Sequence, residues 1–489
     1  MSLLQNYLKK TSTPPSQVIA YLAILDTLKE QCFPLAEALL QEIRDQRSHL
    51  KLIASENFSS LSVQLAMGNL LTDKYAEGYP FHRFYAGCDN VDFIEKKVVE
   101  ELKALFRADH AYVQPHSGAD ANMVAYWAIL LYRVQSKELM KLGKKSVDQL
   151  SPEEHEKIRE LLTHQTVMGM SLQSGGHLTH GYRYNFSSKI MRSVPYDVDK
   201  KSGLLDYAVL RNQVRAEKPA ILVAGYSSYP RRINFAKMRE IADEVDATLM
   251  VDMAHFAGLV AGGVMKGDYD PVPFADVITS TTHKTLRGPR GAFILCKEKY
   301  REVIDKGCPT VLGGPLCHVL AAKLLWVQEI KGADFKQYAH QVVDNARALA
   351  EELLSLGVEL ITGGSDNHLL VAEVSASFHL TGKQAESALR EARFTLNRNA
   401  IPFDQNGPWY TSGIRMGTAA LTTLGMKEGE MKQIGHWIVE LLKATHPVKD
   451  REGHSRDKVE VNSQVLLSIR RQVEELLCQF PLYPELIID

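Results

Sequence analysis

Cysteine is sparse in this chain of 489 residues, which holds six: Cys32, Cys88, Cys296, Cys308, Cys317 and Cys478. No two form a C-x-x-C pair, so a zinc site has no support, and scattered thiols suit a reducing compartment. An excess of one charge is also lacking. The formal net charge is −1, which argues against a nucleic-acid-binding face and against a disordered acidic tail. Long apolar runs are missing. The nearly apolar stretch Ala254–Met265 contains a His and several Gly and is too short to span a bilayer. The start of the chain has no signal-peptide core, because Lys9, Lys10, Pro14 and Pro15 interrupt its apolar residues. A cytoplasmic protein with no membrane and no nucleic-acid partner is therefore expected. Neither a P-loop nor a G-x-G-x-x-G motif is present.

What remains is an ordinary globular balance, 45% hydrophobic and 24% charged, with enough length for two or three domains. Residues 20–50 read as amphipathic helix, with Leu35, Leu39, Leu40 and Ile43 at helical spacing, and residues 90–106 read the same way. The middle of the chain alternates strands and helices. Strands are expected at Ala111–Gln114, Val167–Leu172, Ala220–Gly225, Thr248–Asp252, Val277–Thr281 and Ala292–Cys296, with helices from about Ala121 and around Phe235–Val245. This predicts an α/β fold with a mostly parallel sheet, its last pair antiparallel across Gly288–Gly291. Residues 133–165 read as a polar helical insertion broken at Ser151-Pro152. A long helix (Ala339–Leu356), strands near Leu370–Val374 and Thr395–Asn397, and further helices predict a smaller α+β domain. The expected organisation is an N-terminal helical arm (1–60), a large domain (61–334) and a small C-terminal domain (335–489).

Six segments carry groups suited to chemistry. Lys284 follows a strand end in Ser280-Thr281-Thr282-His283-Lys284, with Arg287 and Arg290 nearby to lower an amine's pKa; taken alone, it reads more readily as a solvated lysine in a basic turn. Asp252 ends an apolar strand, where a buried carboxylate needs a partner; a ligand's pyridinium nitrogen fits, and so does capping the next helix. Gln114-Pro115-His116-Ser117-Gly118-Ala119 lies between strand and helix and offers backbone N–H groups to an anion, as does Gly313-Gly314. Gly175-Gly176-His177-Leu178-Thr179-His180 holds a His-x-x-His pair without a third ligand, so a metal is not expected; a His there suits stacking on a planar ring. Glu77, between Tyr75 and Tyr79, suits proton transfer or simply a polar loop with packed aromatics. Arg415, among small residues, suits a bidentate grip on a carboxylate or a structural ion pair.

Together these segments resemble the serine hydroxymethyltransferase family. The likeness runs from Leu52-Ile53-Ala54-Ser55-Glu56-Asn57 to Phe480-Pro481-Leu482-Tyr483. Thr281-Thr282-His283-Lys284-Thr285-Leu286-Arg287-Gly288-Pro289-Arg290-Gly291 looks like the family's cofactor-lysine signature. Val251–Val260, Ser365–Leu369 and Thr411–Thr418 follow in the family's order. The resemblance implies an aspartate-aminotransferase-like fold (fold type I) and pyridoxal 5'-phosphate held as a Schiff base on Lys284. It implies reversible conversion of serine and tetrahydrofolate to glycine and 5,10-methylenetetrahydrofolate, with side aldolase or racemase activity.

Residue roles follow from the same resemblance. Lys284, Glu77, His283 and Thr281 form the expected catalytic set. Asp252 would pair with the pyridine nitrogen, His177 would stack on the ring, and His255 and Ser227 would lie near the phenolic oxygen. Gly118, Ala119, His283 and, from a neighbouring subunit, Gly314 would approach the phosphate, with Ser55 and Tyr75 also at the cofactor. Arg415, Ser55, Tyr85 and Glu77 would bind the amino acid. Glu77, Phe84, Leu172, Gly176, His177, Leu178, Asn399, Gly407, Pro408 and Trp409 would line the folate. Shared sites imply an obligate homodimer, with a tetramer left open. The chain departs from the family where Ala119 and Asp120 replace Ser and Gln, Phe84 a Tyr, Gln173-Ser174 an Ala-His pair, and Gly407 and Trp409 a Ser and a Phe. The competing readings are another fold-type-I enzyme, such as a threonine aldolase or racemase, and a non-enzymatic binding protein that kept the fold.

Overall fold

The computed structural model describes residues 2–450 and 453–488. They form two compact units. One comprises residues 70–340 with 400–404, the other the described residues within 1–69, 341–399 and 405–489.

The unit built around residues 70–340 contains a seven-stranded sheet. In chain order its strands are β1 (His110–Tyr112), β2 (Thr166–Met170), β3 (Arg192–Tyr196), β4 (Ile221–Gly225), β5 (Thr248–Asp252), β6 (Val277–Thr281) and β7 (Ala292–Cys296). Their order across the sheet is β1-β7-β6-β5-β4-β2-β3. β7 runs antiparallel to both β1 and β6, while the pairings β6-β5-β4-β2-β3 are all parallel. Every residue of β4, β5, β6 and β7 is buried, which is why these strands read as continuous apolar runs rather than as alternating patterns.

β3 was absent from the expected strands. Its sequence, Arg-Ser-Val-Pro-Tyr, is half exposed, and Pro195 is tolerated because β3 is the edge strand. Helices start where a side chain satisfies the first amides. Asp206 accepts from Ala208 and Val209, Asn234 from Lys237, and Ser151 with Glu154 forms a reciprocal capping box with Pro152 at the first helical position. The predicted break at Ser151-Pro152 is therefore a helix start, and the insertion resolves into short helical pieces followed by the helix Pro152–Thr163.

In the second unit, β8 (Leu369–Glu373), β9 (Asn397–Asn399) and β10 (Gly413–Gly417) make an antiparallel sheet in the order β8-β10-β9. Residues 20–50 form two helices, Ser16–Gln31 and Phe33–Ser48, interrupted at Cys32 just before Pro34. Leu50 and Lys51 pair in parallel with Phe394 and Thr395, and Leu50 and Leu52 share a core with Leu349, Phe394 and Trp437. Arg47 donates to the carbonyls of Leu482, Tyr483 and Leu486. The N-terminal helices thus pack with the C-terminal segment of this unit. Among the described residues no helix is long and apolar enough to cross a membrane.

Candidate active site

β5 and β6 are neighbouring parallel strands with Asp252 paired to Thr279. Asp252 and Lys284 therefore emerge from the carboxyl ends of adjacent strands, where α/β sheets bind ligands. β4 supplies Gly225 beside Asp252. Its φ is +147°, and a Cβ there would collide with the Asp252 backbone carbonyl, so the position needs glycine.

Asp252 is buried, and both of its oxygens accept hydrogen bonds. Its Oδ2 accepts from Asn122 Nδ2 (2.9 Å) and His180 Nε2 (3.0 Å), and its Oδ1 accepts from the Ala254 amide (3.1 Å). The His177 amide donates to His180 Nδ1 (3.2 Å). That lone pair fixes the tautomer: the His180 proton sits on Nε2 and points at the carboxylate. Asn122 is held in turn, donating to Thr179 Oγ1 (2.7 Å) and accepting from Thr279 Oγ1 (2.5 Å). Burial alone would raise the Asp252 pKa. Hydrogen bonding by His180, with His177 and Asn122 beside it, outweighs burial and holds the carboxyl well below the usual carboxylate range. A fixed buried anion results.

His177 is half-buried. Its Nδ1 accepts from the Thr179 amide (3.2 Å) and from Thr179 Oγ1 (2.7 Å), which orients the ring. Lys284 Nζ donates to Thr281 Oγ1 (3.0 Å). The turn carrying it is closed by Gly288 N to Thr282 O (2.7 Å) and Thr282 N to Gly291 O (3.1 Å). His283 is pushed down to about 3 by burial and by the charges of Lys284 and Arg290, against a backbone hydrogen bond at Gly291. Thr285 Oγ1 donates to the carbonyl of buried His255 (2.9 Å), and the Ser227 amide donates to Gly175 O (2.7 Å).

The anion cradle is the start of the Gly118–Leu130 helix. Ser117 Oγ accepts from Asp120 N (3.2 Å) and Ser117 O from Ala121 N (3.0 Å), which leaves the amides of Gly118 and Ala119 at the mouth. A Cβ at Gly118 would sit 2.8 Å from Thr281 Cγ2, so only glycine brings this helix start against the Lys284 segment. Asp120, which would repel a phosphate, turns instead toward His116, Oδ2 to Nδ1 4.0 Å. Two buried ring nitrogens at this cradle, His116 Nε2 and His283 Nδ1, have no hydrogen-bond partner among the described residues. Such atoms cost about 1–3 kcal/mol each unless a ligand meets them. A phosphate-bearing cofactor with a ring nitrogen fits this set: orphaned imidazoles and amides at one end, a buried carboxylate at the other.

A second group gathers around the hairpin Gly78–Tyr79/His82–Arg83. Tyr85 OH donates to Glu77 Oε2 (3.2 Å), which raises the Tyr85 pKa, and the Tyr75 and Tyr85 rings meet edge-on at 5.1 Å. Gly314 lies against them: a Cβ there would be 3.7 Å from Tyr75 and 3.9 Å from Glu77. Cys308 joins the two segments, its Sγ accepting from Gly78 N (3.3 Å) and donating to Gly313 O (2.9 Å). Arg83 sets the loop's shape by donating to the carbonyls of Ala76 and Gly78 while paired with Asp92 and Glu95. Phe84 is 70% exposed, and Leu172 and Leu178 are also exposed, whereas Gly176 is buried where a Cβ would strike the Met170 carbonyl.

The third group lies in the other unit. Arg415, on β10, donates from Nε to Asn397 Oδ1 (3.1 Å). Burial lowers it to about 10, so it stays cationic. The Ser55 segment lies beside this strand, because Gly417 N donates to Leu52 O (2.8 Å) and a Cβ at Gly417 would collide with Ala54. Asn399 pairs with Gly413, and Pro408 and Trp409 lie in the short helix Gly407–Tyr410, with the Arg398 guanidinium over the Trp409 ring.

This chain matches the serine hydroxymethyltransferase family model over residues 28–151 and 151–438. The chain belongs to that family. It is 56% identical to the serine hydroxymethyltransferase of Treponema pallidum, over 99% of this chain and 85% of the relative. Against that of Chlamydia pneumoniae it is 50% identical, over 100% and 99%. Against that of Cutibacterium acnes it is 51% identical, over 96% and 95%. Family membership brings the fold-type-I architecture, the pyridoxal-phosphate-dependent hydroxymethyl transfer between serine and glycine, and tetrahydrofolate as co-substrate. Against this background, Asn122 and Thr179 are polar partners of the site that the sequence reading missed. His180, read there only as half of a doubtful metal pair, is a ligand of Asp252. The spacing of Asn122 four residues after Gly118 on one helix was the available signal.

Proposed function

We propose that Lys284 carries the cofactor, with Asp252 at its ring nitrogen, His177 on its face and the Gly118 and Ala119 amides with His283 at its phosphate. The observation that carries this reading is the Asp252 network, a fixed anion at the strand end next to Lys284. When bound, pyridoxal phosphate supplies an electron sink for bonds at the substrate α-carbon. Asp252 holds a proton on the ring nitrogen by staying ionised. Arg415 orients the amino acid through its carboxylate, with Ser55 beside it. Glu77 Oε2, hydrogen-bonded to Tyr85, holds and moves the proton at the substrate hydroxyl. Leu172, Leu178 and Gly176, with Asn399 and Gly407–Trp409, form the folate's apolar and polar contacts. Side cleavage of 3-hydroxy amino acids and slow alanine racemisation belong to the same proposal, as does a cytoplasmic location.

Borohydride reduction of the holoenzyme followed by peptide mapping tests the core of this reading. The reduced pyridoxyl group is expected on Lys284, and tetrahydrofolate is expected to stimulate serine turnover. A label on another lysine, or turnover indifferent to folate, overturns it.

The clustering of Tyr75, Glu77, Tyr85 and Gly314 supports a homodimer in which this group serves the partner's Lys284. Mixing Lys284→Ala and Glu77→Gln proteins under exchange conditions is then expected to restore about a quarter of wild-type activity, because half the dimers are mixed and each has one intact site. Recovery of no activity would place both residues in the same subunit's site.

A further inference from the structure

Outside the groups described above, one buried lysine ties two cofactor-facing segments together. Lys323 lies on the helix Cys317–Glu329 and is 2% exposed. Its Nζ donates to the carbonyls of Val113 (2.6 Å), Ala292 (2.8 Å) and Pro115 (3.4 Å). Val113 and Pro115 follow β1 and lead into the Gly118 helix start. Ala292 opens β7 directly after the Lys284 turn. The Ala292 amide also donates to Pro115 O (3.0 Å), so the two segments already touch, and the lysine bonds to both.

The approach depends on Gly291, where a Cβ would sit 2.7 Å from Lys323 Cε and 3.1 Å from Nζ. One turn further along the same helix, Trp326 Nε1 donates to Leu286 O (2.7 Å), and a Cβ at Gly288 would sit 2.7 Å from that nitrogen. The Gly288-Pro289-Arg290-Gly291 turn is thus shaped to receive this helix.

A buried ammonium is costly unless its donors are matched. Three carbonyls match three N–H groups here, whereas a neutral amine has only two to give. Burial pushes Lys323 down to about 7, against the charge of Glu95 on the Asp89–Phe106 helix. Glu95 is itself bonded to Arg83 and Gln114, and from the Lys284 turn His283 feels the Lys323 charge.

We propose that Lys323 is a positioning residue for the cofactor's phosphate, fixing the Gly118 and Ala119 amides against the His283–Lys284 turn and placing a buried positive charge beneath them. The proposal rests on the cofactor assignment made above. It predicts an effect on the phosphate and little on the rest of the cofactor.

The test measures binding of pyridoxal phosphate and of pyridoxal, which lacks the phosphate, to full-length apoprotein, wild type and Lys323→Met. The variant is expected to weaken pyridoxal phosphate about tenfold or more and pyridoxal less than about twofold. Equal weakening of both ligands, or none, overturns the proposal. Should Lys323→Met not fold, the wild type alone decides. Its preference for pyridoxal phosphate over pyridoxal is expected to fall as pH rises from about 7 to about 9, because the charged form does the holding. A preference that stays flat overturns the proposal. Borohydride trapping on wild-type Lys284 separates the two failures: a label elsewhere removes the underlying assignment, whereas a label on Lys284 with a flat preference removes only the role of Lys323.

Discussion

Asp252→Asn is expected to lower kcat about 10³-fold while leaving the fold intact. Two unit charges at contact interact by roughly 4 kcal/mol at an effective dielectric of about 20, about three decades in rate, and the substitution removes one of them. The structural cost is small because the amide oxygen takes the place of Oδ2, which accepts from both Asn122 and His180. The amide nitrogen then faces the Ala254 N–H, and one hydrogen bond worth about 1 kcal/mol is lost.

The pH dependence sharpens this prediction. The folded-state pKa of Asp252 is depressed, so its stabilising contribution is complete above the unfolded carboxylate range and is lost only as pH falls through the folded value. The carboxylate therefore stays ionised across any practical assay range. No limb of the wild-type rate profile between about pH 5 and 9 is expected to disappear in Asp252→Asn; the whole curve should drop. Steady-state kinetics at saturating cofactor check this, with absorbance reporting occupancy. A kcat within tenfold of wild type would sink the assignment of Asp252.

How much of this was legible in the sequence depended on how local the cause was. β5, β6 and β7 were read with their observed ends because both faces are covered and their apolar runs stop where polar turns begin. The antiparallel last pair followed from the short Gly-Pro-Arg-Gly connection. β3 escaped because an edge strand tolerates Pro195 and exposed Arg192. The break at Cys32 escaped because leucines at helical spacing continue on both sides of it. At the candidate site, Asp252 was legible because it ends an apolar strand, and Lys284 because it stands just beyond another. Their supports did not: Asn122, His180 and Asp252 are separated by 58 and 72 residues, and only the folded sheet brings them to one carboxylate. Lys323 was invisible for the same reason. On a helix of mostly buried apolar residues nothing local marks one lysine as buried.

Arg415→Ala is expected to lower kcat/KM for serine by about 10²–10³-fold, with cofactor affinity unchanged. Its strand is paired on both sides, to Val371 and Asn397, and its Nε is oriented by Asn397. The guanidinium is therefore held ready before an amino acid arrives. Losing one partner of a desolvated charge pair costs about 2–5 kcal/mol. The decisive comparison uses ethanolamine, which is serine without its carboxylate. Wild type is expected to favour serine strongly, and the variant to treat the two nearly alike, because the lost interaction belongs to the carboxylate alone. Arg415→Lys should fall between, since a lysine restores the charge but not the two-pronged geometry. If the variant keeps the wild-type preference for serine, the carboxylate is gripped elsewhere, and Arg415 is only a structural member of the β8-β10-β9 sheet.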